Sequence, residues 1–455
     1  MRIPLSGDAG SRARVLTVSA LALTLAAAPF SAALSPTTAL AQSPPATTRT
    51  TEHPPLSLSE ALSRAADADP SRAGREARVR AGEASVRQAD VRLNPSLGLT
   101  IENLPTLGGG DILGRTETTL TYEQRVERGG DRSARVSVAQ AEALLVQARA
   151  SVARLDHLEA VQKAWIEAMV ADADLAIAGE RLALFEQFQT EVQRRVDMAR
   201  DPLFAGARAE AALAQAQIDF DQAGIEARLA RVTLARFWMG AADFSLPVGA
   251  FEDTSAARVA AGEPAVVDLA VFSAQRDLAE AQVRIEQARA TPDATVSVGV
   301  RHFRDGQDLG LVVGGSIPLG RYDRNEGAID RARAEGVAAV ADMSALRQER
   351  EREIARLQVL LASRAMEARR IAEEPLPQAE RAVVLVREGF GRGGFTYADV
   401  IAAQTALLET RTRRVAVLKQ FHLDRARLDR LTGAHADLLG SEARRADPTI
   451  LEIQQ

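Results

Sequence analysis

The chain has 455 residues, of which 46% are hydrophobic and 26% charged but only 4% aromatic, with a formal net charge of −5. So few aromatics exclude a large aromatic core, and the acidic balance denies a nucleic-acid backbone the basic surface it needs. Cysteine is absent, which excludes disulfides, thiolate metal sites, thiol catalysis and the acylated cysteine of a lipid anchor.

Abundant Ala, Leu, Arg, Glu and Gln favour long helices packed through small, unbranched side chains. At the N-terminus, Arg2, Arg12 and Arg14 precede an apolar run over 15–28 and then Ala39-Leu40-Ala41. This pattern predicts a cleaved secretory signal over 1–41. The apolar run of about 14 residues is short for a membrane helix, and no later run reaches the roughly 18 residues needed. Any membrane span must therefore be built from strands. Residues 42–55, rich in Pro, Thr and Ser, are expected to be a disordered leader. Ser57 and Glu60 form a capping-box pair, and Leu58, Leu62, Ala65, Ala66, Val79 and Val86 carry helical spacing toward Leu93, where Asn94-Pro95 stops it.

From Ser96 the period changes to two. Leu97, Leu99 and Ile101 alternate with small polar residues, as do Leu120 and Tyr122, predicting a β-hairpin over 96–126 around a Gly-rich turn at 107–111. A helix from Asp131 to about Val196 follows; some 66 residues at 1.5 Å rise make it roughly 100 Å long. Asp201 is an N-cap candidate with Pro202 at the first helical position, and that helix runs to Trp238 before Gly240.

The second half repeats the first. Glu83-Ala84-Ser85-Val86-Arg87 recurs as Glu280-Ala281-Gln282-Val283-Arg284, and Pro95 recurs as Pro292, about 197 residues on. Val296, Val298 and Val300, then Leu309, Leu311 and Val313, alternate around Arg304-Asp305-Gly306 as a second hairpin over 293–319. A second long helix is expected from about Asn325 to Arg387, then a Gly-rich turn over 389–394, then a helix from Tyr397 to Leu431 closed by Gly433. The predicted organisation is a first repeat over 56–240, a linker over 241–263, a second repeat over 264–433 and a tail over 434–455. In each repeat the two shorter helices together match the long one in length, so they can stack end to end against it. Linker and tail remain to form a belt around the middle.

Glu102-Asn103-Leu104, Tyr122-Glu123-Gln124, Gly129-Gly130-Asp131-Arg132 and Asp323-Arg324-Asn325-Glu326-Gly327-Ala328-Ile329 resemble the heavy-metal (cobalt, zinc, cadmium) branch of the TolC-like outer-membrane efflux family. So does the stretch from Gly389-Phe390 through Leu407, ending in Leu431-Thr432-Gly433. Asp131 departs from the branch, which commonly has a basic residue there. The resemblance covers nearly the whole chain after the signal. It implies a mainly α protein in which long helical hairpins form a periplasmic α-barrel and four strands per protomer contribute to a trimeric twelve-stranded outer-membrane β-barrel. It also implies an exit duct for a periplasmic adaptor and an inner-membrane RND pump. Physics agrees that several chains must share one wall, because four strands cannot close and open edges are untenable in lipid. Each strand is expected to span about 9 to 11 residues.

Leu97, Leu99, Ile101, Leu120, Tyr122, Val296, Val298, Val300, Leu309, Leu311 and Val313 are expected to face lipid. Ser96, Thr100, Thr119, Thr121, Thr295, Ser297 and Ser316 are expected to face water. The far turns, 197–204 and 388–395, are the expected adaptor-docking tips, with Asp197, Arg200, Asp201, Pro202, Phe390, Gly391, Arg392, Gly393 and Gly394. By resemblance, Asp399 stands where the family places a gate carboxylate, and the family's second carboxylate is Ala402 here. Thr396 and Asp399 also have capping-box spacing, and the two roles are compatible. The five histidines, His53, His157, His302, His422 and His435, show no ligand spacing, and no nucleophile, base and orienter assemble, so neither cofactor, metal site nor enzymatic activity is assigned. A duct of the same fold for drugs or secreted polypeptides, and a periplasmic coiled-coil adaptor, are the alternatives.

Overall fold

The computed structural model describes residues 55–104, 116–255, 262–304, 306 and 308–439, without the side chains of Val248 and Leu439. The signal, nearly all of the leader, the 107–111 turn, Asp305 and the tail beyond 439 lie outside them. The chain folds as α1 (Leu58–Asp67), α2 (Arg72–Ala89), β1 (Ser96–Glu102), β2 (Glu117–Val126), α3 (Asp131–Asp197), α4 (Leu203–Ala235) and α5 (Val248–Glu252). Then come α6 (Val266–Arg289), β3 (Ala294–Phe303), β4 (Asp308–Ser316), α7 (Glu326–Glu373), α8 (Pro375–Gly391) and α9 (Tyr397–Thr432). Helix, strand pair, long helix and return helix thus occur twice.

Coiled-coil spacing explains α3. Its buried Leu155, Leu158, Gln162, Trp165 and Met169 alternate three and four apart, which keeps one seam facing a neighbour over many turns. On α9, Val400, Gln404, Leu407, Leu418, Phe421 and Leu428 occupy the same register. α3 packs against α2 and α6 toward the sheet and against α4 and α9 toward the far end, while α7 packs against α6 and α9. Midway, Leu56, Leu62, Trp165, Ile166, Leu234, Phe244, Leu246, Phe251 and Leu418 bury one another. The Leu56 N–H donates to the Ser245 carbonyl at 2.8 Å and the Trp165 indole N–H to the Leu56 carbonyl at 3.3 Å, so the segment before α1 and the one before α5 wrap α3 together.

The four strands form one antiparallel sheet in the order β1-β2-β3-β4, so the two hairpins are joined through β2 and β3. Gly129 lies so close under the Ala288 carbonyl that any Cβ would overlap it, which lets α3 leave the sheet hard against the end of α6.

Several expectations are corrected. The helix from Ser57 is not continuous: α1 ends at Asp67 and α2 starts at Arg72, because Pro70 supplies no N–H and disfavours helical backbone at Asp69. The Asp69 carboxylate instead accepts from the Ser71 N–H at 2.8 Å and pairs with Arg75. The second long helix is also broken, at Glu374 (φ −111°, ψ −73°), because Pro375 and Pro377 follow; α8 then continues through Gly389 to Gly391. Pro202 is the N-cap of α4, not its first residue, and Asp201 makes no cap. β1 has 7 residues, short of the expected span, because Asn103 leaves extended backbone for φ 58°.

Candidate functional site

The strand register decides which side chains share a face. Leu97 stands opposite Tyr122, Leu99 opposite Leu120, Val300 opposite Leu120 and Leu311, and Val298 opposite Tyr122 and Val313. Directly paired residues point to the same side, so all eleven residues expected against lipid share one face, and each of them is exposed in the protomer. Ser96, Thr100, Thr119, Thr121, Thr295, Ser297 and Ser316 share the other. On that polar face Arg301 donates from Nη1 to Glu117 at 3.0 Å and from Nε to the Thr119 hydroxyl at 3.0 Å, and pairs with Glu102 at 3.1 Å. Arg301 was missed by the sequence reading; its signal is an Arg at a polar-face position of a strand. The β1 and β4 edges have no strand beside them among the described residues.

At the far end, the turn between α3 and α4 and the turn between α8 and α9 meet. Arg195 joins them: its guanidinium grips Asp201 at 2.7 and 2.9 Å, donates to the Phe390 carbonyl at 2.6 Å and lies 4.5 Å from the centre of the Phe390 ring. The Arg195 hydrogen bond holds the Asp201 carboxyl below its usual range. Phe390 is buried among Phe188, Val192, Ala205, Ala209 and Val400, with Phe188 also 5.0 Å from Tyr397. Among the expected tip residues, Phe390 therefore anchors the turn from inside, while Asp197, Arg200, Pro202, Arg392, Gly393 and Gly394 are exposed and Asp201 and Gly391 partly so. Exposed Leu203 and Phe204 lie beside them.

Asp399 is exposed and closes a capping box: the Thr396 N–H donates to its Oδ2 at 2.8 Å, and the Asp399 N–H donates to the Thr396 hydroxyl at 3.3 Å. Its Thr396 hydrogen bonds lower its pKa from the ordinary 3.8. The support that the ionised form lends α9 is therefore complete above that value and lost as pH falls through the lower folded pKa. Thr396→Ala should weaken α9 at neutral pH and flatten this acid dependence, read by hydrogen exchange across 397–400 between pH 3 and 7; an unchanged profile would contradict the cap.

Among the described residues the histidines do not gather. The His422 ring, packed 5.5 Å from Phe251 and bonded to its carbonyl at 2.8 Å, is pushed down in pKa by burial, and His157 meets Phe237 edge-on. Among the described residues no three His, Cys, Asp or Glu stand where a metal ion could be held, and no helix is long and apolar enough to cross a membrane.

A sheet apolar on one face and polar on the other is carried by long helices, of which α3, at 67 residues, runs about 100 Å. The fold is that of VceC from Vibrio cholerae, an outer membrane protein, with a TM-score of 0.64 at 21% identity over 82% of this chain and 96% of that one. The family model for outer membrane efflux proteins matches residues 267–434. The chain is 28% identical over 414 residues to the cobalt-zinc-cadmium resistance protein CzcC of Cupriavidus metallidurans, covering 88% of this chain and 96% of the relative. It is 30% identical over 282 residues to the nickel-cobalt-cadmium resistance protein NccC of Alcaligenes xylosoxydans xylosoxydans, covering 60% of this chain and 63% of the relative.

Proposed function

We propose that the protein is the outer-membrane exit duct of a tripartite RND-type efflux system and exports divalent heavy-metal cations, acting as a channel and not as an enzyme. The observation that carries the duct is the two-faced sheet on long helices, and the likeness to a cobalt-zinc-cadmium resistance protein over 96% of its length supports the cargo. Metal ions are cargo in this reading. The selective, energised step belongs to an inner-membrane pump.

A homotrimer is supported by what one protomer leaves open. β1 and β4 are edges, and in lipid such edges must be paired. α4 carries exposed Ile218, Ile225, Leu229 and Val232 at heptad spacing, and α7 and α8 carry exposed Val337, Val359, Met366, Val384 and Leu385 on the opposite flank of the helical row. Further copies joined flank to flank bury both sets and close the wall. The eleven apolar residues then face outer-membrane lipid, the helices stand in the periplasm after removal of the 1–41 signal, and the 197–204 and 388–395 turns dock the adaptor. Asp399 from three copies lies at the entrance as a carboxylate ring, which concentrates cations near low-dielectric walls.

Cells lacking the protein are expected to become sensitive to zinc, cobalt, cadmium or nickel while keeping resistance to a drug panel. Sensitivity to drugs alone would replace metals with drugs and leave the duct standing. In single-channel recordings, Asp399→Asn should lower cation preference in a normally assembled trimer; unchanged selectivity would reduce Asp399 to its cap.

A further inference from the structure

Strand β4 ends at Ser316, but its apolar face continues past the sheet. Ile317 and Leu319 keep the alternation of Leu309, Leu311 and Val313, and beside them at the same end exposed Val126 stands opposite Ala294. Segment 317–324 reads Ile-Pro-Leu-Gly-Arg-Tyr-Asp-Arg and is pinned at both ends. Ser316 pairs with Thr295 on one side. On the other, Asn325 turns into left-handed backbone (φ 58°) and its side-chain amide donates to the Glu286 carbonyl at 2.8 Å and the Glu286 carboxylate at 2.7 Å. Between these ties the Arg321 N–H donates to the Leu319 carbonyl at 2.7 Å. A fixed turn thus holds out side chains that nothing among the described residues covers: Ile317 is 54% exposed, Leu319 88% and Tyr322 91%. The Arg321 guanidinium lies 5.5 Å from the centre of the Tyr322 ring, and among the described residues neither Arg321 nor Arg324 has a carboxylate partner.

The depth of this turn fits a membrane boundary. From Leu309 to Ile317 the strand rises about 27 Å, which at a tilt near 40° is roughly 21 Å of membrane. The apolar band of an outer-membrane barrel is about 25 Å tall, so Leu319 and Tyr322 fall where acyl chains give way to headgroups. Their chemistry suits that layer. A Tyr ring sits at headgroup level with its hydroxyl wet, and an Arg grips a phosphate through paired N–H groups while its stem covers apolar surface. We infer that segment 317–324 is an interfacial anchor, which seats Ile317, Leu319 and Tyr322 at the helix-side boundary of the bilayer and sets Arg321 and Arg324 on phospholipid phosphates. The anchor lies beyond the strands and rests on the reading of the sheet as part of a membrane barrel. It fixes the depth at which the helices leave the bilayer, because α7 starts directly after it at Glu326.

The protein contains no Cys, so a single introduced Cys takes one bimane label at one place. The labelled full-length protein is placed in phosphatidylcholine vesicles brominated near the headgroup end of the acyl chains, where bromine quenches on contact. Leu319→Cys should lose fluorescence relative to unbrominated vesicles, as should Leu311→Cys on β4, while Arg347→Cys, about 30 Å along α7, should keep it. Quenching at Leu311→Cys without quenching at Leu319→Cys, as when a neighbouring copy covers the segment, would overturn the anchor and leave the barrel standing. Loss of quenching at both would overturn the barrel reading first and the anchor with it. The two arginines have their own readout. At equal bromine, brominated phosphatidylglycerol in plain phosphatidylcholine should quench the Leu319→Cys label more than brominated phosphatidylcholine does, since each Arg enriches an anionic lipid about fivefold. Arg321→Ala with Arg324→Ala should abolish that excess, and an excess that survives would overturn their part in the anchor.

Discussion

Val298→Arg should stop the protein from assembling in the outer membrane, whereas Ser297→Arg should be tolerated. The two residues are neighbours in β3, yet the pairing of Val298 with Tyr122 and Val313, and of Ser297 with Glu123 and Gly314, puts them on opposite faces. An Arg on the lipid face near mid-membrane costs roughly 2 to 4 kcal/mol per chain, and the proposed trimer would bear that cost three times. On the polar face the new guanidinium lies opposite the Glu123 carboxylate and keeps its water. The measurement is the amount of trimer recovered from outer-membrane fractions. Equal loss from both variants would show that the sheet does not present its Leu and Val face to lipid.

Arg430→Met should be the most destabilising single change in the helical region. The Arg430 side chain is only 5% exposed and holds Asp268, itself 8% exposed, by two bonds of 2.8 and 2.9 Å, with Asp156 at 2.6 Å on its other side. Burial opposes the Arg430 charge, but the two carboxylates outweigh it and hold its pKa above the ordinary value. Removing the guanidinium leaves Asp268 charged and buried without its partner, a loss of about 3 to 5 kcal/mol. Asp268→Asn in the same chain should recover part of it, because an amide is cheaper to bury than a carboxylate. Denaturant unfolding of the two variants and wild type checks both statements; a single variant within experimental error of wild type would remove the network from the account of stability.

What could be read in the sequence was local and periodic. The change from helical spacing to alternation at Ser96, the uninterrupted run after Gly130 and the recurrence of Pro95 as Pro292 each follow from backbone geometry acting over a few residues. They carried the strands, the long helix and the duplicated order, and with the loop motifs they carried the resemblance to outer-membrane efflux proteins. Pro70 and Pro375 were equally visible, and there the continuing apolar pattern hid a break that proline chemistry demands. The register of β2 on β3 is different in kind: it joins Tyr122 to Val298 and so decides that the two hairpins share a single apolar face. The Arg195 clamp reaches a carbonyl 195 residues away, and Arg430 meets Asp268 across 162 residues. Such pairs depend on which long helices lie side by side, and along the chain each member looks like any other charge on a helix. Only packing removes water from some of these charges and not from others, and that removal turns a surface Arg into the clasp of the tips or the tie between α9 and α6.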